Sequence, residues 1–494
     1  MSPESACPSN RNDFISHLAS TLVWIVVAAA ILFIPMKIIG LGYLPMDDAM
    51  RHAAKAVSGK SWSDILVTRP GIIVDPQAGW SSILGLVHRA AGRGTDGLVA
   101  FSVVSLFAVF CLCCAWRFKR PESWVLSLVL VMAFYPAILT RLMSGRPCIL
   151  AMAAAMTILL LWSREDRDRF GLLLITTVLI ALSVWIDGNW CLWVLVPMAL
   201  ALTGAWGRSA LLGLCWLAGS VIGASLTGHP IAALAQQIEY SLYAFGDVAV
   251  QRALAVEFRP TDGVYPMVLL VATVLLARTA VAGRWEGRTV RNPAFVLTIL
   301  GWVMGLRVGR FWWDWGLPAG MVWIAQQIDE VSEGRCAGAK NRLCIAMAAC
   351  LTLALGATGD SKGRWTNNLT APFLASESSQ MAEWLPGRGG IIYSADADVF
   401  YQAFFRNPNA DWKYVLGFAP VLMTAEDFDI YRRIQSSSGG VRGYKPWIAK
   451  LQRGDRIVIE QENSPEPVLP ELEWRKATDK MWIGRLRAGR AQGS

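Results

Sequence analysis

Charge is scarce in this 494-residue chain. Asp, Glu, Lys and Arg together make up 17% of it, against roughly 25% in an ordinary soluble domain. That shortfall excludes a water-soluble globule of the usual kind. Histidine is scarcer still, at four, too few and too scattered for a His-based metal cluster. Cysteine is absent beyond Leu351, and most of the ten cysteines lie inside hydrophobic stretches. The C-terminal tail is therefore no disulfide scaffold, and no spacing fits a zinc site. Also missing are a phosphate-binding glycine loop, a Gly-x-Ser-x-Gly elbow and a His-Glu-x-x-His pair. No basic run is interleaved with aromatics as a nucleic-acid groove would be, so the net charge of +9 is no sign of nucleic acid.

What the chain has is apolar sequence in blocks. It is 54% hydrophobic, with mean hydropathy +0.39. Runs such as Leu22–Ile34, Ala100–Ala115 and Ile149–Trp162 carry no charge at all. A membrane span needs roughly 20 mostly apolar residues. About eleven stretches qualify: 18–39, 98–116, 123–140, 147–162, 170–186, 190–205, 209–226, 264–281, 293–307, 317–332 and 343–357. The expected fold class is an α-helical polytopic membrane protein. The first run lacks a small-residue cleavage site and reads as an uncleaved signal-anchor. The spans hold almost no ionisable residue in their middles, which argues against an ion-coupled transporter.

Loop charges orient the chain. Arg117–Arg120, Arg164–Arg169, Gly207-Arg208, Arg284–Arg291 and Arg335–Arg342 are basic and belong to the cytoplasm by the positive-inside rule. The other set contains Asp47-Asp48, Ser144-Gly145-Arg146, Asp187-Gly188-Asn189, the stretch Thr227–Gly263 and Arg307–Trp315. With an odd number of spans, residues 1–17 are a cytoplasmic tail, 18–358 the membrane domain with a first outer loop at 41–94, and 359–494 an extracytoplasmic domain. That last segment is polar. Strands are expected at Ile391–Ser394, Trp412–Leu416, Arg456–Glu460 and Met481–Leu486, and helices at Val399–Phe405 and Ala425–Gln435, giving a soluble α/β domain.

Two adjacent carboxylates, Asp47 and Asp48, follow the first span. Charges beside a lipid-facing segment need water, a partner or a task. One could accept a proton from an attacking hydroxyl or hold a divalent cation; equally, either could cap the helix expected over Asp48–Gly59, which reads as lying along the membrane surface. If Asp48 is the cap, Asp47 is the better base. Arg51 could bind phosphate or pair locally with the acids. His52 could shuttle protons, though a lone histidine is more often structural. Asp75 could be a second active-site acid or a turn residue before proline. Arg69, with no acid near it in sequence, is a candidate for an anionic ligand. Arg141, Arg146 and Arg310 stand at outer span mouths against the charge bias, as if to hold a lipid-linked phosphate or to touch headgroups. The Trp residues of Arg307–Trp315 read as an aromatic belt. In the tail, Asp396, Asp398, Phe400 and Tyr401 could bind carbohydrate, or belong to a domain that only covers the mouth.

These features resemble the GT-C class of membrane glycosyltransferases: many spans, a long first outer loop, Asp47-Asp48 just after the first span, an amphipathic stretch behind it, Ser144-Gly145-Arg146-Pro147 opening a span, and a soluble outer tail. The resemblance implies a bacterial inner-membrane enzyme that takes a sugar from a polyprenyl-phosphate donor and passes it, with inversion, to an extracytoplasmic acceptor. It implies Asp47 or Asp48 as base and Arg146, Arg69 and Arg310 as phosphate ligands. One departure stands out: relatives often carry a further acid in the second outer loop, and Thr140–Pro147 has none. Asp75 would have to substitute. The alternative is a non-catalytic membrane component of envelope polysaccharide assembly or export.

Overall fold

The computed structural model describes residues 9–72, 75–163, 169–246, 259–261, 264–283, 287–333, 338–366, 374, 381–436, 441–460, 466–478 and 481–487. The first residues of the expected cytoplasmic tail, the charged turn 164–168, residues 247–258 of the long outer stretch, and 284–286 and 334–337 lie outside the described residues.

Every expected span falls on helix. In chain order come α1 (Ser9–Gly40), α2 (Asp48–Ser58), α3 (Trp62–Ile65), α4 (Ala78–Ala91), α5 (Thr95–Ala115), α6 (Pro121–Phe134), α7 (Ala137–Leu142), α8 (Cys148–Trp162), α9 (Arg169–Asp187), α10 (Leu195–Leu202), α11 (Trp206–Ser225) and α12 (Pro230–Gly246). Helices Val264–Ala282, Pro293–Gly305, Leu317–Glu333 and Ala339–Thr358 complete the membrane portion. Among the described residues five helices are long and apolar enough to cross a bilayer: Leu18–Gly40, Thr95–Ala115, Arg169–Asp187, Trp206–Ser225 and Ala339–Thr358. The stretch 123–140 breaks after Phe134, because Pro136 forces Tyr135 out of helical geometry. The stretch 190–205 opens as a 3-10 turn, Trp190–Val194, before α10 begins.

The bundle is centred on Leu317–Glu333, which is buried without a break from Leu317 to Ala325. Helices α9 and α11 bring small residues together: a Cβ at Gly223 would lie 2.4 Å from the Ala181 carbonyl oxygen. Such close backbone approach is how helices associate in lipid. Their outer faces expose Leu174, Val178, Leu214 and Val221, as lipid-facing surfaces do.

Helices α1 and Ala339–Thr358 pack side by side and deliver the chain to the same end, where the Tyr43 and Trp365 rings meet edge-on at 5.0 Å. The opposite end gathers Lys119 with Glu333 at 3.0 Å and Arg342 with Glu122 at 2.7 Å, and exposes Trp116 and Trp206. Cationic loops of this kind mark the cytoplasmic side.

The C-terminal region folds around a five-stranded sheet of order β2-β1-β3-β5-β4, with β1 (Ile391–Tyr393), β2 (Lys413–Tyr414), β3 (Arg456–Glu460), β4 (Leu472–Thr478) and β5 (Met481–Leu486). Strand β1 runs parallel to β2 and β3, while β5 pairs antiparallel with β3 and β4. Helices Ala397–Arg406 and Ala425–Ser436 stand where the sequence places them. The first outer loop joins this domain directly. Leu66 bridges to Tyr414, and the Val67 amide donates to the Tyr414 carbonyl at 2.9 Å. Trp62, Ile65 and Leu66 share one apolar cluster with Phe400, Phe404 and Tyr414. Helix α2 is therefore enclosed by protein on several sides. Residues Ala49 to Ala54 are buried between α4, α5 and helix Ala397–Arg406, because its alanines let neighbours approach on several sides.

Candidate functional site

The acid pair sits where the membrane bundle meets the soluble domain. Asp47 is the N-cap of α2, its carboxylate accepting the Ala49 amide at 3.4 Å, and Asp48 is the first helical residue. The cap is thus Asp47, the reverse of the sequence expectation, though at that length the capping bond is weak.

Arg146 reaches the pair from the turn before α8. Gly145 has φ +64°, and a Cβ there would crowd Ala49 and Val103 at 3.1 Å. Glycine thus lets this turn press onto α2 and α5 and brings the next residue to the acids. Arg146 Nε lies 3.0 Å from Asp47 Oδ2 and 3.9 Å from Asp48 Oδ2. Arg51, one helical turn on, donates from Nε to Asp48 Oδ1 at 2.7 Å and from Nη2 to Gln77 Oε1. Its guanidinium lies 4.0 Å from the centroid of Phe418 in the soluble domain. The Tyr401 hydroxyl donates to Asp48 Oδ1 at 3.3 Å.

These partners separate the two acids electrostatically. For Asp47, burial dominates and raises the pKa above the usual carboxylate range, with Arg146 opposing. For Asp48, burial also pulls upward, but Arg51 and Arg146 together outweigh it and hold the group far below that range. The two carboxyls are thus pulled in opposite directions, Asp47 up by its burial and Asp48 down by its two arginines.

A second knot lies alongside. Asp75 accepts the Gln77 amide at 3.0 Å and the Ser81 hydroxyl at 3.2 Å, and faces Lys55 Nζ at 3.7 Å. It is a turn residue and a buried acid at once; burial raises its pKa, yet Lys55 and His52 bring it below the ordinary value. His52, with Nδ1 3.5 Å from Ser81 Oγ, is pushed down to about 3 by burial and by Arg51. It is neutral at physiological pH and poorly suited to shuttle protons there.

Gln77 extends the network, its amide also reaching Asp187 at the end of α9. Asp187 accepts from Asn189, which in turn accepts from Gln237 of α12 at 2.7 Å. Beyond it, Asp314 is flanked by Arg141 Nε and Arg310 Nε, each at 3.0 Å. Asp314 sits in a π-turn, Trp312–Gly316, a distortion common at functional positions. Arg141 and the partly exposed Arg310 are thus partners of one buried carboxylate. Trp312 and Trp315 are core residues, so this cluster is not an aromatic belt. Arg69, expected without an acid, pairs with Glu239 of α12 at 2.6 Å; α12 itself was not foreseen. Among the described residues no three His, Cys, Asp or Glu side chains converge on a common point. With arginines already between its carboxylates, this donor set does not fit a resident divalent cation.

The structure brings together Asp47, Asp48, Arg51 and Arg146, with His52 and Asp75 adjoining. Arg141 and Arg310 form a neighbouring group, and Arg69 stands apart. Sequence reasoning gave no role to Gln77, Asp187 or Asn189. The only signal for the last two was an acidic outer loop beside a glycine. Gly188 has φ +77°, and a Cβ there would lie 2.5 Å from the Pro76 carbonyl oxygen, so glycine locks that loop to the Asp75–Gln77 turn.

No family model matches the chain in sequence, nor does any curated protein. A solved structure does match it in fold. The crystal structure of ArnT from Cupriavidus metallidurans in the apo state superposes with a TM-score of 0.58 at 13% identity, over 93% of this chain and 97% of that one. At that identity and extent the likeness is one of fold: the chain has a polytopic helical membrane fold of the GT-C type, with several long apolar helices and a C-terminal soluble region.

Proposed function

We propose that this protein is a membrane glycosyltransferase that moves a sugar from a polyprenyl-phosphate donor to an acceptor outside the cytoplasm. The observation that carries the reading is the unequal acid pair, Asp47 and Asp48, with Arg146 at 3.0 Å from Asp47, on the side away from the cationic loops. The GT-C fold supports it.

In this reading Asp47 is the base. The acceptor O–H gives its proton to Asp47 while its oxygen bonds to the anomeric carbon. The bond from that carbon to the phosphate oxygen breaks, and the polyprenyl phosphate leaves with the electron pair. Attack from the face opposite the leaving group inverts the carbon. Asp48, held by Arg51 and Tyr401, keeps its charge and fixes α2. Arg146 is the cation nearest the base and the best candidate to meet the donor phosphate. A phosphate that draws Arg146 from Asp47 removes a positive charge from beside that carboxylate and raises its proton affinity. Donor binding therefore prepares the base. Arg141 and Arg310, each tied to Asp314, keep the second outer mouth in place.

The test is transfer of labelled sugar from polyprenyl-phosphate donors in membranes containing the full-length chain, with the product anomer read by NMR. Donor-dependent transfer with inversion supports the reading. No transfer from any lipid-linked donor, by a folded protein that captures envelope polysaccharide components instead, would favour the non-catalytic alternative.

A further inference from the structure

We propose that the recess behind α12 is a lipid-binding site, entered from the outer leaflet, that takes an uncharged, hydroxyl-rich glycosyl headgroup. Asp47 and its reaction play no part in it.

Helix α12 is amphipathic the wrong way round for water. Ile231, Ile238 and Leu242 are 83%, 42% and 66% exposed. Their spacing of seven and four residues puts them within about 40° of arc on one side. The polar residues turn inward instead. Gln237 is buried and donates to Asn189 Oδ1 at 2.7 Å, and Ser241 Oγ lies 3.3 Å from Cys191 Sγ. A helix that shows its apolar stripe to the outside and its amides to the protein is solvated by lipid. Lipid is also its neighbour along the chain. Helix α12 follows the outer end of α11, which exposes Val221, Ile222 and Leu226. With Gln236, Gln237 and Glu239 among its 17 residues, α12 is too polar to cross a bilayer and lies at headgroup level. Glu239 pairs there with Arg69 at 2.6 Å.

The recess is walled by the outer ends of α9 and α11, by α12 and by the Asp75-Pro76 turn, with about 330 Å³ of space partly open to solvent. That is the small end of the roughly 300–1,000 Å³ of small-molecule sites. Its polar atoms are mainly acceptors. Thr227 gives its proton to the Ala224 carbonyl at 2.7 Å; its oxygen meets the His229 amide only at 3.3 Å and can accept again. Gln237 Oε1 stands beside Gly188, 3.4 Å from where a Cβ would be. Asp75 adds a carboxylate. Acceptors call for donors on the ligand, hydroxyl or ammonium. No Lys or Arg lines the recess among the described residues, which disfavours a phosphate. Lys55 Nζ, 3.7 Å from Asp75 Oδ2, already offsets the one negative charge, which favours hydroxyls over an ammonium. Trp190, Val184 and Leu234 give the apolar contact that the carbon face of a sugar ring needs.

The test uses the full-length protein in phosphatidylcholine nanodiscs containing monoglucosyl diacylglycerol with a photoreactive group on its sugar, the labelled residues being mapped by mass spectrometry. Saturable labelling is expected at residues 188–190 and 227–237. Unlabelled monoglucosyl diacylglycerol should displace it; phosphatidylethanolamine and polyprenyl phosphate should not. Thr227→Val and Gln237→Leu should each raise the half-saturating probe concentration about fivefold, the size of one lost hydrogen bond. Ala233→Leu, which narrows the recess and removes no polar group, should weaken labelling as well. If Gln237→Leu fails to fold, the other two variants carry the expectation. A bimane on Ile238→Cys should be quenched by brominated lipid. Labelling elsewhere, labelling that the unlabelled glucosyl lipid does not displace, or unchanged saturation in the folded variants would overturn the proposal. So would displacement by the ethanolamine or phosphate lipid as readily as by the glucosyl lipid, or a bimane that brominated lipid leaves bright. No transfer is measured, so the acid pair stands or falls separately.

Discussion

Asp47 and Asp48 are chemically identical neighbours, and their partners make them different. Asp47 borrows Arg146 from 99 residues away; Asp48 takes Tyr401 from 353 residues away. That is why the sequence showed the pair, Arg51 and Arg146, and set Asp47 against Asp48 only by which of them caps the helix: local spacing finds Arg51, and nothing local finds Tyr401. It also explains the reversal at the cap, since a side chain's capping bond depends on where α2 is pressed and not on which acid comes first. Asp398 gives a residue-scale test. Its folded pKa of about 6 lies above the ordinary carboxyl value of 3.8, so the folded state holds its proton longer than the unfolded chain does. Stability from this group therefore falls as pH rises through that window, and the penalty is complete above it. Asp398→Asn should raise the unfolding temperature at pH 8, by the equivalent of at most about 3 kcal/mol, and change it little near pH 4. Scanning calorimetry at the two pH values checks this. Asp314→Ala should act oppositely. It removes a buried carboxylate from between Arg141 and the partly exposed Arg310, a loss of about 3–5 kcal/mol, visible as a lower midpoint in denaturant.

Among the elements, long apolar blocks were legible because a membrane span needs little more than length and lack of charge. Their interruptions follow from prolines, as at Pro136. What escaped was amphipathic or edge structure. Helix α12 mixes Gln236, Gln237 and Glu239 with apolar residues inside what reads as a polar outer stretch. Strand β4 carries Glu473, Arg475 and Lys476 on an edge with much of one face exposed, the charged pattern by which edge strands avoid pairing with other chains. Glycines hold the elements that matter most for the site. Gly188→Ala combines a left-handed backbone with a 2.5 Å clash against Pro76. It should destabilise by about 1–3 kcal/mol and loosen the Asp187–Gln77 link, read as faster amide exchange in residues 75–77. Gly301→Ala would place a Cβ 2.4 Å from the Gly316 Cα. It should displace the π-turn that carries Asp314 and lower the unfolding temperature by several degrees.

For the molecule as a whole, the loop charges and the shared exit of α1 and Ala339–Thr358 give one topology. The acid pair, the first outer loop and the sheet domain stand together on the side opposite the cationic loops. Cysteine labelling in intact cells tests it with no knowledge of substrate: Ser61→Cys should react with a membrane-impermeant thiol reagent from outside, and Lys119→Cys only after permeabilisation. The soluble domain's docking onto Trp62, Ile65 and Leu66 makes it part of one body with the first outer loop and not an appendage. The proposed reaction depends most directly on Asp47. Transfer of labelled sugar from a polyprenyl-phosphate donor should be compared for wild type, Asp47→Asn and Asp48→Asn, each confirmed as folded. The expected result is a loss of about 10²–10⁴-fold for Asp47→Asn, the range for removing a general base, and a smaller loss for Asp48→Asn. Wild-type transfer by Asp47→Asn would contradict it.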